Sequence, residues 1–293
     1  MTRRIGFVGL GLMGSRMVAN LISAGFAVIG YDIDPDRVTA FVEAGGNPVD
    51  DPVSMTAQAD VIMLSLPNSN VVNSVVGQAL KLFEASCEGL VLIDTTTADP
   101  ILSEQLAVQL RKKGIAMLDA TVSGTPKMCA ERDITLMVGG DEEDFKKCES
   151  IFSALAKTTY YLGKNGSGAL MKLIVNLVLG LNRMVLAEGL ALGQKAGMDL
   201  QKLLEVLKQS AAYSKAMDMK GGKMVAADFL PAEGKLAFHL KDVHLMLDLG
   251  RRLNFPLLLS SLHAQALTSL VARGKADWDN AAIISFYRDL VQG

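Results

Sequence analysis

Short apolar runs alternate with amphipathic stretches through the first half of the chain. The runs fall at 5–8, 27–31, 61–66, 90–93, 116–118 and 135–138, and each predicts a strand. Positions 16–24 follow a helical pattern and stop at Gly25; positions 36–44 repeat it and stop at Gly45 and Gly46. A glycine just past a helix supplies the left-handed backbone that closes it. Alternating strands and helices predict a doubly wound, mainly parallel sheet covered on both faces. After Gly163 the pattern changes, and from Ser167 onward nearly every stretch reads as helix. The expected organisation is an α/β Rossmann domain over 1–163 followed by an all-α domain over 164–293. A helix over 167–196, roughly 40 Å long at 1.5 Å per residue, opens the second domain.

The length fits this division, since 293 residues make about two domains of ordinary size. A net charge of −2 favours neither nucleic acid nor an anionic membrane surface as partner. Cys87, Cys129 and Cys148 form no C-x-x-C pair, and His239, His244 and His263 form no metal-binding pattern. A reduced, cytoplasmic setting without a metal site is the expectation. The apolar start is broken by Gly6, Gly9, Gly11 and Gly14 and lacks a cleavage site, so no secretory signal is read there. The apolar stretch 170–192 carries Lys172, Asn176, Asn182, Arg183 and Glu188, which is too polar for a lipid-facing span.

Candidate chemistry begins at the glycine turn Gly9-Leu10-Gly11-Leu12-Met13-Gly14. It follows a predicted strand and opens a predicted helix, the context in which G-x-G-x-x-G cradles a dinucleotide pyrophosphate. Gly9 permits the tight turn, Gly11 lets the backbone approach the phosphates, and Gly14 packs helix on strand. Asp32, after Tyr31 at the end of the second run, stands where a carboxylate accepts the ribose 2′-hydroxyl. That favours NAD, with NADP as the alternative; Arg37 lies deeper in the next helix.

Hydride exchange with a carbonyl needs a group that moves a proton at the oxygen. Lys172 lies on the long apolar helix, where desolvation lowers a lysine's pKa towards neutrality. Asn176 follows one turn later on the same face. A lysine that snorkels to solvent is the other reading of the same pattern. Arg183, about 16 Å further along the axis, is too distant to hold the same small molecule and reads as structural or interfacial. The Y-x-x-x-K spacing of Tyr160 and Lys164 runs into a glycine loop instead of lying on one helix face, so it is set aside.

Several ordered motifs together resemble the β-hydroxyacid dehydrogenase family, the group of 3-hydroxyisobutyrate dehydrogenase and tartronate semialdehyde reductase. They are GFVGLGLMG at the start, LSLPNS at 64–69, IDTTTADP at 93–100, DATVSGTP at 119–126, LMVGGD at 136–141, G-x-x-x-K-x-x-x-N at 168–176 and HLKDVHLML at 239–247. The resemblance covers essentially the whole chain. It implies Lys172 as catalytic lysine with Asn176 its partner, and Ser123, Gly124 and Thr125 as the substrate turn. It also implies Leu66, Pro67, Thr97 and Lys241 beside the cofactor, a 6-phosphogluconate dehydrogenase-like helical domain, and a homodimer or homotetramer. Without it, Lys241 reads equally as a solvated helix lysine and Ser123 as a turn serine.

The family turn usually reads D-A-P-V-S-G-G, but this chain has Thr121 for the proline and Thr125 for the second glycine. The stretch KAMDMKGGKMVAADF is closer to semialdehyde reductases than to mammalian-type 3-hydroxyisobutyrate enzymes. The expected activity is hydride transfer between a nicotinamide cofactor and a small 3-hydroxy acid or semialdehyde acid, with Lys172 as general acid/base and the site in the cleft between domains. An imine reductase on the same scaffold and a catalytically silent dinucleotide sensor are the alternatives.

Overall fold

A computed structural model describes residues 3–84 and 87–290. The chain divides into two compact units, the first ending at Lys172 and the second starting at Leu173. The first contains eight strands: β1 Arg4–Val8, β2 Ala27–Tyr31, β3 Asn47–Pro48, β4 Val61–Leu64, β5 Val91–Asp94, β6 Ala116–Ser123, β7 Thr135–Gly140 and β8 Thr158–Tyr161. They form one sheet in the order β3-β2-β1-β4-β5-β6-β7-β8. All neighbours are parallel except β6 and β7. The longer helices are α1 Leu12–Ser23, α2 Pro35–Glu43, α3 Pro100–Arg111, α5 Ser167–Lys195, α6 Leu200–Gln209, α7 Leu236–Arg252, α8 Leu258–Ala272 and α9 Ile283–Leu290, with a short α4 at Pro126–Ala130.

Alternation along the strands explains the double covering. Val61 and Met63 join Ile5, Phe7, Met17 and Leu21 on one face of the sheet. Ile62 and Leu64 join Val8, Met55 and Leu92 on the other. The predicted strands are present, β2 with the predicted ends and the others with shifted ones. The run at 116–118 extends to Ser123 because its second half pairs antiparallel with β7, from Leu118 opposite Gly140 to Ser123 opposite Thr135. The two-residue β3 is too short to leave a pattern in the sequence.

In the second unit the core is helical, with Leu186, Leu190, Leu236, Val243, Leu267 and Ile284 buried together. Among the described residues no strand follows β8. By length and a mean hydropathy of 1.6, α5 passes for a membrane span. The sequence reading that its polar residues exclude one is too strict on composition alone. What the fold shows is that Arg183, Leu186, Ala187 and Leu190 are buried in the protein core.

Candidate active site

The order β3-β2-β1-β4-β5 reverses direction between β1 and β4, and ligands of such sheets bind beyond the strand ends at that point. The loops after β1, β4, β5 and β6 therefore share one edge. They carry the glycine turn, Leu66 and Pro67, Thr97, and Ser123 to Thr125 respectively.

The glycine turn has the form of a phosphate cradle. Gly9 has φ +96°, a left-handed conformation that glycine tolerates, and its ideal Cβ would lie 2.3 Å from the Ser65 carbonyl oxygen. At Gly14 the Cβ would lie 1.9 Å from the Gly9 carbonyl oxygen, so only glycine lets α1 settle on β1. Gly11 is the N-cap of α1; it brings no side-chain cap, and the first turn has no acidic residue. A Cβ there would meet only the Arg37 guanidinium, at 3.5 Å. The first-turn amides of α1, with only the Arg37 side chain near Gly11, fit a dinucleotide pyrophosphate.

Asp32 is buried at the end of β2. Its carboxylate accepts hydrogen bonds from the Leu10 amide at 2.7 Å and the Asp34 amide at 2.9 Å, tying it to the glycine turn. Arg37 corrects the expectation that it lies away from this site. It stands in the first turn of α2, and its long side chain folds back to Asp32 at 3.5 Å and Asp34 at 3.2 Å. Around the turn, the Tyr31 carbonyl accepts from Gly9, Met13 packs against the core, and Leu12 is exposed. The Leu66 amide donates to the Thr96 hydroxyl at 3.1 Å, linking the loops after β4 and β5.

The end of β6 brings the second group of residues together. Gly124 has φ +154°, and a Cβ there would lie 2.5 Å from the Ile134 side chain. Thr125 is the N-cap of α4; its hydroxyl oxygen accepts from the Met128 amide at 3.2 Å. Lys172, half-buried in the second turn of α5, donates from Nζ to the Val122 carbonyl at 2.6 Å. Its ammonium thus sits one residue from Ser123, which decides against a purely snorkelling lysine. Asp119 accepts the Gly166 and Ala169 amides at 2.8 and 2.9 Å, capping the start of α5. Burial pushes the Asp119 carboxyl up from its ordinary value, against the pull of these backbone bonds.

In the second unit, the Asn176 amide donates to Asp242 at 2.9 Å, and Lys241 pairs with the same carboxylate at 3.1 Å. Asp242 thereby holds one Asn176 N–H, and the amide oxygen stays available as an acceptor. Arg183 is 5% exposed, and burial lowers its pKa to about 10 against the charges of Asp279 and Asp242. It is a core charge of the helical unit. Gly180 makes room for two histidines: a Cβ there would lie 2.6 Å from His239 Nε2 and 2.9 Å from His263 Cε1. Burial, and then the Arg183 charge, push His263 down to about 4. Sequence reasoning did not single out Asp119 or Asp242. Asp242 adjoins Lys241 in the K-D pair, but the bond that gives it a role spans 66 residues.

Two family models match the chain in series. Residues 4–163 match the NAD binding domain of 6-phosphogluconate dehydrogenase, and residues 166–287 match the NAD-binding region of NADP-dependent 3-hydroxyisobutyrate dehydrogenase. The chain belongs to the β-hydroxyacid dehydrogenase family. It is 31% identical over 287 residues to 2-(hydroxymethyl)glutarate dehydrogenase of Eubacterium barkeri, covering 98% of this chain and 95% of that one. It is 31% identical over 288 residues to L-threonate dehydrogenase of Cupriavidus necator, covering 98% and 97%. Among solved structures, 3-hydroxyisobutyrate dehydrogenase of Mycobacterium tuberculosis with L-serine superposes with a TM-score of 0.89 at 27% identity, covering 98% and 100%. This β-hydroxyacid dehydrogenase is an NAD(P)-dependent oxidoreductase, and its reaction is hydride transfer.

Proposed function

We propose that this dehydrogenase interconverts a small 3-hydroxy acid and its semialdehyde or keto acid, with Lys172 as the proton-exchanging group. The observation that carries the reading is the 2.6 Å bond from Lys172 Nζ to the Val122 carbonyl, beside the Ser123 turn and on the sheet edge of the glycine cradle. Bound NAD(P) supplies or accepts the hydride at the substrate carbon. Neutral Lys172 takes the hydroxyl proton as the hydride leaves that carbon, and returns it in the reverse direction. Ser123, Gly124 and Thr125 hold the substrate carboxylate. Asn176, with one N–H on Asp242, turns its amide oxygen to the Lys172 ammonium or the substrate hydroxyl. Thr97, Leu66, Pro67 and Lys241 flank the nicotinamide end, and Asp32 takes the adenosine ribose and favours NAD.

In this reading residues 1–163 are the cofactor domain and 164–293 the substrate and oligomerisation domain, a division supported by the spans of the two family models. The apolar exposed side chains Leu258, Leu259 and Leu262 on α8 support a homodimer or homotetramer, which light scattering reads directly. The free thiols of Cys129 and Cys148, both buried, support a reducing, cytoplasmic setting.

The names of the relatives support an acid bearing a hydroxyl group as substrate. The test is a panel of 2- and 3-hydroxy acids, semialdehydes and imines, each with the NAD and NADP couples. Turnover concentrated on 3-hydroxy acids is expected. Turnover confined to imines, or tight NADH binding with no turnover at all, overturns the proposal.

A further inference from the structure

Three residues of β6 bond to the start of α5 and the residue before it. Asp119 holds the amides of Gly166 and Ala169. The Thr121 hydroxyl donates to the Gly168 carbonyl at 2.8 Å. The Val122 carbonyl receives Lys172 Nζ. Asp119 and Thr121 are two residues apart on a strand, so they face the same way. The approach is close enough to require glycine, because a Cβ on Gly168 would lie 2.3 Å from the Asp119 carbonyl oxygen and 2.4 Å from that of Met137. Thr121 is fully buried.

The middle contact is made by a side-chain hydroxyl. Thr121 stands two residues before Ser123 and contributes that hydroxyl from β6. Its acceptor, the Gly168 carbonyl, is also the helix-ladder partner of the Lys172 amide four residues on. Thr121 therefore bonds to the peptide group that sets the position of Lys172. Side chains that carry reacting atoms need such support, since a displacement of 1 Å can cost about 100-fold in rate.

We propose that Thr121 is a positioning residue. Through Gly168 it locks the first turn of α5 to β6 and keeps the Lys172 ammonium on the Val122 carbonyl at the substrate turn. This rests on the reading of Lys172 as the proton-exchanging group.

The test compares Thr121→Val, which keeps the shape and removes the hydroxyl, with Thr121→Ser, which keeps the hydroxyl. The valine variant is expected to lose about tenfold in kcat, the equivalent of one hydrogen bond, with the KM for hydroxy acid and the NADH affinity within about threefold of the parent. The serine variant is expected to retain kcat within about twofold. A valine variant with the parental kcat overturns the inference, as does a serine variant as impaired as valine, and so does a loss seen only in KM. If the valine variant does not fold, Thr121→Ala carries the same prediction. Lys172→Ala, run alongside, separates the two readings. An inactive alanine variant with a fully active valine variant overturns the role of Thr121 alone, whereas a fully active alanine variant overturns the proposed function itself.

Discussion

At the residue scale, the proposed preference for NAD rests on the charges around the glycine turn. Asp32 is anchored by two amides of its own chain, so its carboxylate is fixed before any ribose arrives. Arg37 offsets part of that charge and is half-exposed. Asp32→Ser is therefore expected to weaken NADH binding by roughly 10- to 100-fold, the range for a hydrogen bond to a charged group. It should weaken NADPH binding much less, because Arg37 is released from Asp32 and meets the 2′-phosphate. Fluorescence titration with the two nucleotides checks this, and an equal loss for both contradicts it. Gly9, Gly11, Gly14 and Asp32 were legible in the sequence because their spacing is local. The back-folded Arg37 was not, since helix position tells where a side chain starts and not where its rotatable bonds take its charge.

At the element scale, the sheet was legible wherever a strand is buried on both faces, as β1, β2 and β4 are, and vague where pairing sets the length. The second half of β6 is a strand because β7 lies beside it, and the run at 116–118 alone does not reveal that. The packing of α1 on β1 rests on a single missing side chain. Gly14→Ala places a methyl group 1.9 Å from the Gly9 carbonyl oxygen, and backbone has little room to yield. The expected cost is about 1–3 kcal/mol of stability, with loss of nucleotide binding because the turn is displaced. Thermal unfolding and an NADH titration on the same sample measure both.

Across the molecule, the division into an α/β part and a helical part follows from the change of pattern near Gly163. The inside of the helical part did not follow, because its polar contacts join distant segments: Asn176 to Asp242, and Lys220 to Asp279. Buried carboxylates give the whole chain a pH dependence. Asp94, buried on β5, is pushed up from 3.8 to about 7, chiefly by burial, with hydrogen bonds from Thr96 opposing and the charge of Asp119 adding. The folded chain then keeps a proton that the unfolded chain releases. This contribution to stability is complete below about pH 4 and is lost as the pH rises to about 7. Relative to Asp94→Asn, the parent is expected to lose roughly 2 kcal/mol between about pH 5 and 7, read from denaturant midpoints. The proposed function puts the proton transfer on a lysine more than 150 residues from the glycine turn, and one measurement reaches it most directly: turnover of Lys172→Ala in the hydroxy acid reaction, with and without a small primary amine in solution. The predicted result is a loss of about 100- to 10,000-fold in kcat at unchanged NADH affinity, partly restored by the added amine. Turnover at the parental rate without the amine would contradict the account.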